Sequence, residues 1–525
     1  MSRERKRDLV LLLVISLAVR LAMALSITRP GYMDPAYYAA GAVRIAQSGE
    51  MSEPYIWHYL DDPAGLPHPA FLYWMPLPSL LAAVPAALFP GSFFALQIPF
   101  ALLSAALPLV AYGVAWEASA RRRTAWVAGL LTLFSGFFFP YWTLPETFAP
   151  FALAGSGALW LAGRRWGQDR ESGWWAFSWL AGLSIGLAHL TRADGILLLP
   201  VAMLAPLFVS SPPAKSPARS AIAHCLLVIT GYLLVMLFWF GRNMAVIGAP
   251  LAPGGTRTLW LTCYDDIFCY GCDLSLRSYL DWGWREIVYS KLWASGLNLQ
   301  RFLAEDCLVF MLPFALVGFY RLRRRTPFPL SVIFFLLIYL AHSLAFTFPG
   351  PRGGFFHASA AALPFLFAAA AEGLEAAVDW AARRRRWPRQ QAQAVFAVAA
   401  VAAAIALSGW LALGKARGWR HVDTLYVEAG RWLAQQTTGE ATVMVANPPA
   451  FWYHTGYPAV VVPNGDEAMM MAAVDRYRVD YVLLDQNCPL SLGSLCTGDA
   501  SHPNLARVME WGEEENRAVL YAVER

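Results

Sequence analysis

Charge is what this chain has least of. Asp, Glu, Lys and Arg together make 15% of its 525 residues, against 57% hydrophobic residues and a mean hydropathy of +0.42. A soluble protein of this length would divide into several domains with charged surfaces, and that class is excluded by composition. The formal net charge of +5 is no nucleic-acid signature, because the basic residues sit in short clusters between apolar runs. Such clusters orient a protein in a bilayer. There is no internal repeat, no lipidation motif, and no glycine loop at a strand–helix junction to cradle a nucleotide phosphate. Cys269-Tyr-Gly-Cys272 has no second CxxC or histidine pair to complete a zinc site, so no metal and no other cofactor is expected.

What remains are apolar runs long enough to cross hydrocarbon. Spans are expected at Leu9–Ile27, Ser92–Trp116, Ala125–Phe139, Thr147–Ala162, Trp174–Leu190, Gly195–Val209, Ala221–Phe240, Phe302–Tyr320, Leu330–Phe348, Ser359–Val378 and Ala392–Leu413. That is about eleven. The first follows Arg3 to Arg7 and runs into Arg29-Pro30 with no small-residue cleavage pattern, so it is read as a retained span rather than a signal peptide. With this count, Arg3 to Arg7, Arg121-Arg122-Arg123, Arg164-Arg165, Lys215 with Arg219, Arg321 to Arg325 and Arg383 to Arg386 share one side. The positive-inside bias makes that side cytoplasmic. The Phe71–Phe89 segment is apolar, but it contains Pro76, Pro78 and Pro85 and would reverse the parity. It reads as an interfacial or re-entrant helix. The Ser210-Ser211-Pro212-Pro213 stretch reads as a cytoplasmic turn.

The outer side then receives loops 29–91 and 242–301 and the tail 415–525. Five of the seven cysteines fall there, where disulfides persist; Cys488–Cys496 is a plausible local bridge, and Cys269 and Cys272 are either bridged or free. In the tail, Ala441–Ala446, Ala459–Val462, Tyr481–Asp485 and Ala518–Val523 read as strands. Val422–Gln436 and Glu467–Tyr477 read as helices. The expected fold is a polytopic α-helical membrane domain, residues 1–414, followed by a small extracytoplasmic α/β domain, residues 415–525.

The first outer loop concentrates unusual residues. Asp34-Pro35-Ala36-Tyr37 follows the first span, and His58, Asp61-Asp62 and His68-Pro69-Ala70-Phe71-Leu72-Tyr73-Trp74 come after it. Ionisable groups at a membrane carry a functional hypothesis by default, although Asp34 alone could be a solvated turn residue. Glu146, in Leu144-Pro145-Glu146-Thr147, could simply favour a helix N-terminus. Arg192 and Asp194 share one turn and could pair. Arg352 lies in Pro349-Gly350-Pro351-Arg352-Gly353-Gly354, whose glycines allow close approach to a phosphate or make an ordinary turn. His357 reads more as a structural or headgroup contact than as a ligand. Many of the aromatics are expected to be interfacial anchors.

Asp34-Pro35-Ala36-Tyr37, His68 to Trp74, Leu190-Thr191-Arg192-Ala193-Asp194-Gly195 and Arg20, in that setting, resemble elements of the GT-C superfamily of membrane glycosyltransferases. The resemblance is to the protein O-mannosyltransferases and the bacterial lipid A aminoarabinose transferases in particular. The chain departs from the usual pattern at Pro35, His68 and Arg192, where relatives often carry a second acid and lysines. The resemblance implies a GT-C-like fold and an inverting transfer of a sugar from a polyprenyl-phosphate donor to a lipid, glycan or protein acceptor on the outer face of the cytoplasmic membrane. Asp34 would be the catalytic base. Glu146, Arg192, Arg352, His58, His68 and Tyr37 would bind substrate. A transporter or flippase of lipid-linked sugars, or a noncatalytic envelope-assembly scaffold, is the alternative. Polar residues clustered at one end of the spans, with no repeated half, favour the enzyme.

Overall fold

Helices dominate because apolar segments in hydrocarbon must satisfy their backbone groups internally. A computed structural model of the chain describes residues 3–164, 173–208, 217–437, 439, 441–499, 502–512 and 517–525. Arg165, Val209, the Ser210–Pro213 turn and Lys215 lie outside the described residues. Among the described residues, six helices are long and apolar enough to cross a membrane: Arg3–Ser26, Phe93–Ser119, Ala218–Ile247, Phe328–Ala345, Gly350–Arg385 and Arg389–Gln436. Shorter apolar helices cover Leu77–Leu88, Phe148–Ala162, Ala193–Met203 and Leu312–Leu322.

Three expected spans are broken. Ala125–Phe139 is helical only to Leu133 and continues as a 3₁₀ turn over Gly136–Tyr141. Gly195–Val209 is a chain of short turns, Ala193–Leu197, Leu198–Met203 and Ala205–Phe208, with Pro200 and Pro206 within it. Phe302–Tyr320 divides into a π-helical turn at Phe302–Asp306 and a helix at Leu312–Leu322 that starts around Pro313. Proline removes a helix hydrogen bond and clashes with the preceding turn. The Phe71–Phe89 region contains the helix Leu77–Leu88.

Gly350–Arg385 is the axis of the bundle, with 89% of its apolar window buried, against 28% for Arg3–Ser26 and 22% for Arg389–Gln436. The outer helices turn Val10, Leu11, Val14, Leu226, Leu237, Phe238, Val398 and Trp410 outward, an apolar surface suited to lipid. The axis is gripped closely. A Cβ on Gly318 would lie 1.8 Å from the Ala369 carbonyl oxygen, and one on Gly373 would lie 1.8 Å from that of Phe314. Two bare backbones set the separation of the Leu312–Leu322 and Leu363–Arg385 helices.

The basic clusters meet at one end of the bundle. Arg122 donates to both oxygens of buried Asp8 at 2.6 Å. Arg123 reaches Glu375 at 2.6 Å, Arg321 reaches Glu372 at 3.1 Å, and Arg389 pairs with Asp379. These pairs tie five helices together there.

The tail folds into helices and a sheet. Strands β1 (Ser52–Glu53), β2 (Tyr55–Ile56) and β3 (His68–Pro69) come from the first loop. Strands β4 (Val443–Val445), β5 (Ala459–Val461), β6 (Tyr481–Leu484), β7 (Leu505–Trp511) and β8 (Ala518–Val523) come from the tail. The six-stranded sheet has the order β2-β5-β4-β6-β8-β7. Its first four strands are parallel, and β8 runs antiparallel to both β6 and β7. Its edge strand is thus borrowed from the loop after the first span, with Tyr55 paired to Ala459 and Ile56 to Val460. The disulfides Cys269–Cys272 and Cys488–Cys496 are both formed.

Candidate active site

Asp34 stands in the first turn of a helix, Met33–Ser48, rather than in an open loop. Residues Pro35 to Ala42 of that helix are buried, so the stretch packs as a helix against Leu77–Leu88. The early acid also suits the positive N-terminal end of the helix dipole. Helical spacing puts Tyr38, four residues on, on the same face as Asp34. Both line a cavity of about 1590 Å³. It runs from Asp34 to the residues that follow the carboxyl ends of β4, β5 and β6, including Asn447, Asn464 and Asn487. The carboxyl ends of parallel strands are the usual place for a ligand in such a sheet.

Glu146 and His357 meet Asp34 at the edge of the cavity, which Asp34 and His357 line while Glu146 lies buried behind them. One ligand atom from each lies within 4.8 Å of the others. The His357 Nε2 atom is 3.4 Å from Glu146 and 3.8 Å from Asp34. Its Nδ1 faces the Gly353 carbonyl oxygen at 3.1 Å, and Phe148 packs on the imidazole at 4.0 Å between ring centroids. Glu146 is fully buried and accepts from the Tyr32 hydroxyl at 2.5 Å.

The electrostatics separate the two acids. Burial pushes the Asp34 carboxyl up to about 6, opposed by the Arg192 and Arg352 guanidiniums. Burial, with the Asp34 charge added, holds Glu146 well above the usual carboxylate range. Both carboxyls are thus pushed upward by burial, but only Asp34 is faced by two guanidiniums that favour its ionised form, so the two have different environments.

Arg192 lies beside them. It donates to both oxygens of Asp194, at 3.0 and 2.6 Å, and to the Gly354 carbonyl oxygen at 3.2 Å. Asp194 also meets His342 Nε2 at 3.1 Å. The Arg192 charge pulls its carboxyl well below the ordinary range despite burial. Arg352 is exposed to the cavity, its guanidinium 5.0 Å over the Tyr264 ring. Among the described residues it has no ion-pair partner.

The structure thus gathers Asp34, Glu146, Arg192 and Arg352. It places the other three candidates elsewhere. Tyr37 points away from the cavity and donates to buried Glu53 at 2.6 Å. His58 is buried between Trp57 and Tyr73, 3.3 Å from Asp61, and burial lowers its pKa to about 4. His68 faces the Tyr55 carbonyl at 3.0 Å from within β3. These three side chains hold the first loop together. Arg20 is buried over the Phe139 and Trp142 rings, at 5.3 and 5.7 Å, and does not line the cavity. Sequence reasoning undervalued His357 and passed over Tyr32, Tyr264 and His342. The one available signal for His357 was its place four residues after Gly353, next to Arg352.

Asp34, Glu146 and His357 also form a candidate divalent-cation site. The Nδ1 contact to a backbone carbonyl is the arrangement that leaves Nε2 free as a ligand. Their distance apart in the chain is why no ligand spacing is visible in the sequence.

Residues 67–239 match the family described as dolichyl-phosphate-mannose-protein mannosyltransferase. No curated protein matches the chain in sequence. ArnT from Cupriavidus metallidurans in the apo state is 14% identical, covering 98% of each chain, with a TM-score of 0.60. The same protein bound to undecaprenyl phosphate gives 15% identity, 98% and 97% coverage and a TM-score of 0.58. The Archaeoglobus fulgidus oligosaccharyltransferase, in complex with Zn and sulfate, is 15% identical over 92% of this chain and 68% of its own, with a TM-score of 0.59. The chain shares the fold of ArnT and of this oligosaccharyltransferase, and over residues 67–239 it resembles the protein O-mannosyltransferases.

Proposed function

We propose that this protein is an integral-membrane glycosyltransferase that moves a sugar from a polyprenyl-phosphate donor to a hydroxyl of a lipid, glycan or protein acceptor, with inversion. The observation that carries the reading is the Asp34 carboxylate at the floor of a large cavity, faced by two guanidiniums. Asp34 accepts the proton of the acceptor hydroxyl as that oxygen attacks the anomeric carbon. The bond from that carbon to the donor phosphate breaks on the opposite face, and the lipid phosphate leaves with the electron pair. Arg352, free to turn into the cavity, and Arg192, held by Asp194, neutralise the growing charge. Burial and the Asp34 charge both disfavour a second negative charge at Glu146, beside the base.

The same cluster supports a second version of this centre, in which Asp34, Glu146 and His357 hold a divalent cation. Such an ion supplies Lewis-acid stabilisation of phosphate charge. The first version needs none.

Residues 1–414 are taken as the membrane part and 415–525 as an extracytoplasmic α/β unit, with the N-terminus cytoplasmic. The meeting of the basic clusters at one end and the paired cysteines beside the cavity support that orientation. The test is to incubate purified protein with a panel of polyprenyl-phosphate sugars and follow sugar release or transfer. Turnover of one donor is expected. A protein that binds and moves such lipids across vesicles without breaking the sugar–phosphate bond is the flippase instead.

A further inference from the structure

The cavity has a second cationic flank, separate from Arg192 and Arg352. It is lined by Tyr141, Trp419, Lys415 and Arg301, with Phe137 and Leu411 supplying apolar wall. Arg301 is paired with Glu305 at 3.2 Å. Glu305 lines the same flank and also feels the Lys415 charge, but Lys415 makes no ion pair within 4.0 Å among the described residues. Its ammonium lies 5.8 Å from the Tyr141 ring centroid and 5.6 Å from that of Trp419.

This flank is built, and it leads to the reacting acids. Gly31 (φ +81°) has no side chain, and a Cβ there would sit 2.3 Å from the Trp419 ring. The bare glycine lets Trp419 press on the loop that carries Asp34, where the indole is buried. Tyr32 then meets Trp419 at 5.4 Å and Tyr141 at 5.9 Å between ring centroids. Its hydroxyl ends on Glu146. An aromatic ledge therefore runs from the Lys415 ammonium to the carboxylate cluster.

A transfer needs two substrates in one cavity, and two groups of cations flank the acids. We propose that the Lys415–Trp419–Tyr141 flank is the acceptor subsite and that it takes an amphiphile carrying an anionic group near its reacting hydroxyl. This rests on the transferase reading above. The anion meets Lys415, as a compact ammonium suits a phosphate or carboxylate. The acceptor's body lies on the aromatic ledge, and its tail follows Phe137 and Leu411. The donor phosphate keeps Arg352 and Arg192 for itself.

Calorimetric titration of the purified full chain in a neutral detergent tests this. The protein is first saturated with farnesyl phosphate, standing for the donor lipid, and is then titrated with decyl phosphate. The wild type is expected to bind one further decyl phosphate. Lys415→Met, at an exposed position where folding is not at stake, should weaken that binding by about tenfold, the worth of one charge-assisted contact. Trp419→Leu should weaken it too. Inorganic phosphate should bind there about tenfold more weakly than decyl phosphate, as the apolar wall requires. No second binding event, unchanged affinity in Lys415→Met, or equal affinity for inorganic phosphate would overturn the proposal. Farnesyl phosphate affinity in Arg352→Met is measured in the same series. Its loss or retention tests the donor site alone, so the two readings fail separately.

Discussion

His357 turns its Nε2 toward Glu146 at 3.4 Å because its Nδ1 is held by the Gly353 carbonyl. With Nδ1–H donating to that carbonyl, Nε2 carries a lone pair directed at Glu146, whose carboxyl burial pushes upward. A divalent cation needs its carboxylate ligands ionised, so it competes with protons for them. On the cation version, Mn²⁺ added to chelator-treated protein binds with proton release and more tightly at pH 8 than at pH 6. Glu146→Gln then weakens it by about tenfold or more. Titration calorimetry in buffers of different ionisation enthalpy reads both. Turnover that survives chelation, with no Mn²⁺ binding, selects the metal-free version.

The Asp34 carboxyl at about 6 fixes the acid side of the pH profile. A base works only when ionised, so kcat/KM should fall as pH drops through 6. Arg352 lowers the Asp34 pKa. Removing it in Arg352→Met should therefore move that limb to higher pH as well as slowing turnover. A limb that stays in place in the variant would separate the Arg352 charge from Asp34.

Asp194 is the counter-ion that holds the Arg192 fork in place. Asp194→Ala strands a buried guanidinium and should cost about 3–5 kcal/mol of stability. Thermal unfolding in detergent reads the loss. Arg192→Lys keeps the charge but loses the two-pronged contact, and should retain more stability than Asp194→Ala while turning over more slowly than wild type.

Gly318 packs where no side chain fits. Gly318→Ala should destabilise the bundle by about 1–3 kcal/mol, the usual range for overpacking. At Gly409, by contrast, an added methyl group would meet no atom within 4 Å. Gly409→Ala should be neutral or slightly stabilising, because alanine is the better helix former. Melting both variants side by side checks that backbone contact is the cause.

Much of this was visible in the residue order, for reasons that differ from site to site. Asp34, Glu146 and Arg192 stand just outside apolar runs, where charge is conspicuous against the background. Tyr37 was selected by likeness to a motif, but its hydroxyl bonds to Glu53, and it is Tyr38, one residue on, that lines the cavity with Asp34. His58 and His68 looked reactive because the first loop reads as open chain. That loop instead supplies β2 to the tail's sheet and β1 and β3 to a small sheet of its own, and both imidazoles are buried within it. Strand β7 was passed over because Leu505–Trp511 acquires its place only by pairing with β8. His357 and Trp419 reach the cavity through contacts between segments far apart in the chain, which local periodicity does not record.

The most direct measurement is sugar transfer from the turned-over polyprenyl-phosphate donor by Asp34→Asn, alongside its thermal midpoint and farnesyl phosphate affinity. The substitution keeps the shape of the side chain and removes its ability to take a proton. The predicted result is loss of transfer by at least about a hundredfold, the lower range for a general base, with folding and lipid binding retained. Transfer at the wild-type rate by a folded Asp34→Asn protein would contradict the assignment of Asp34 as the base.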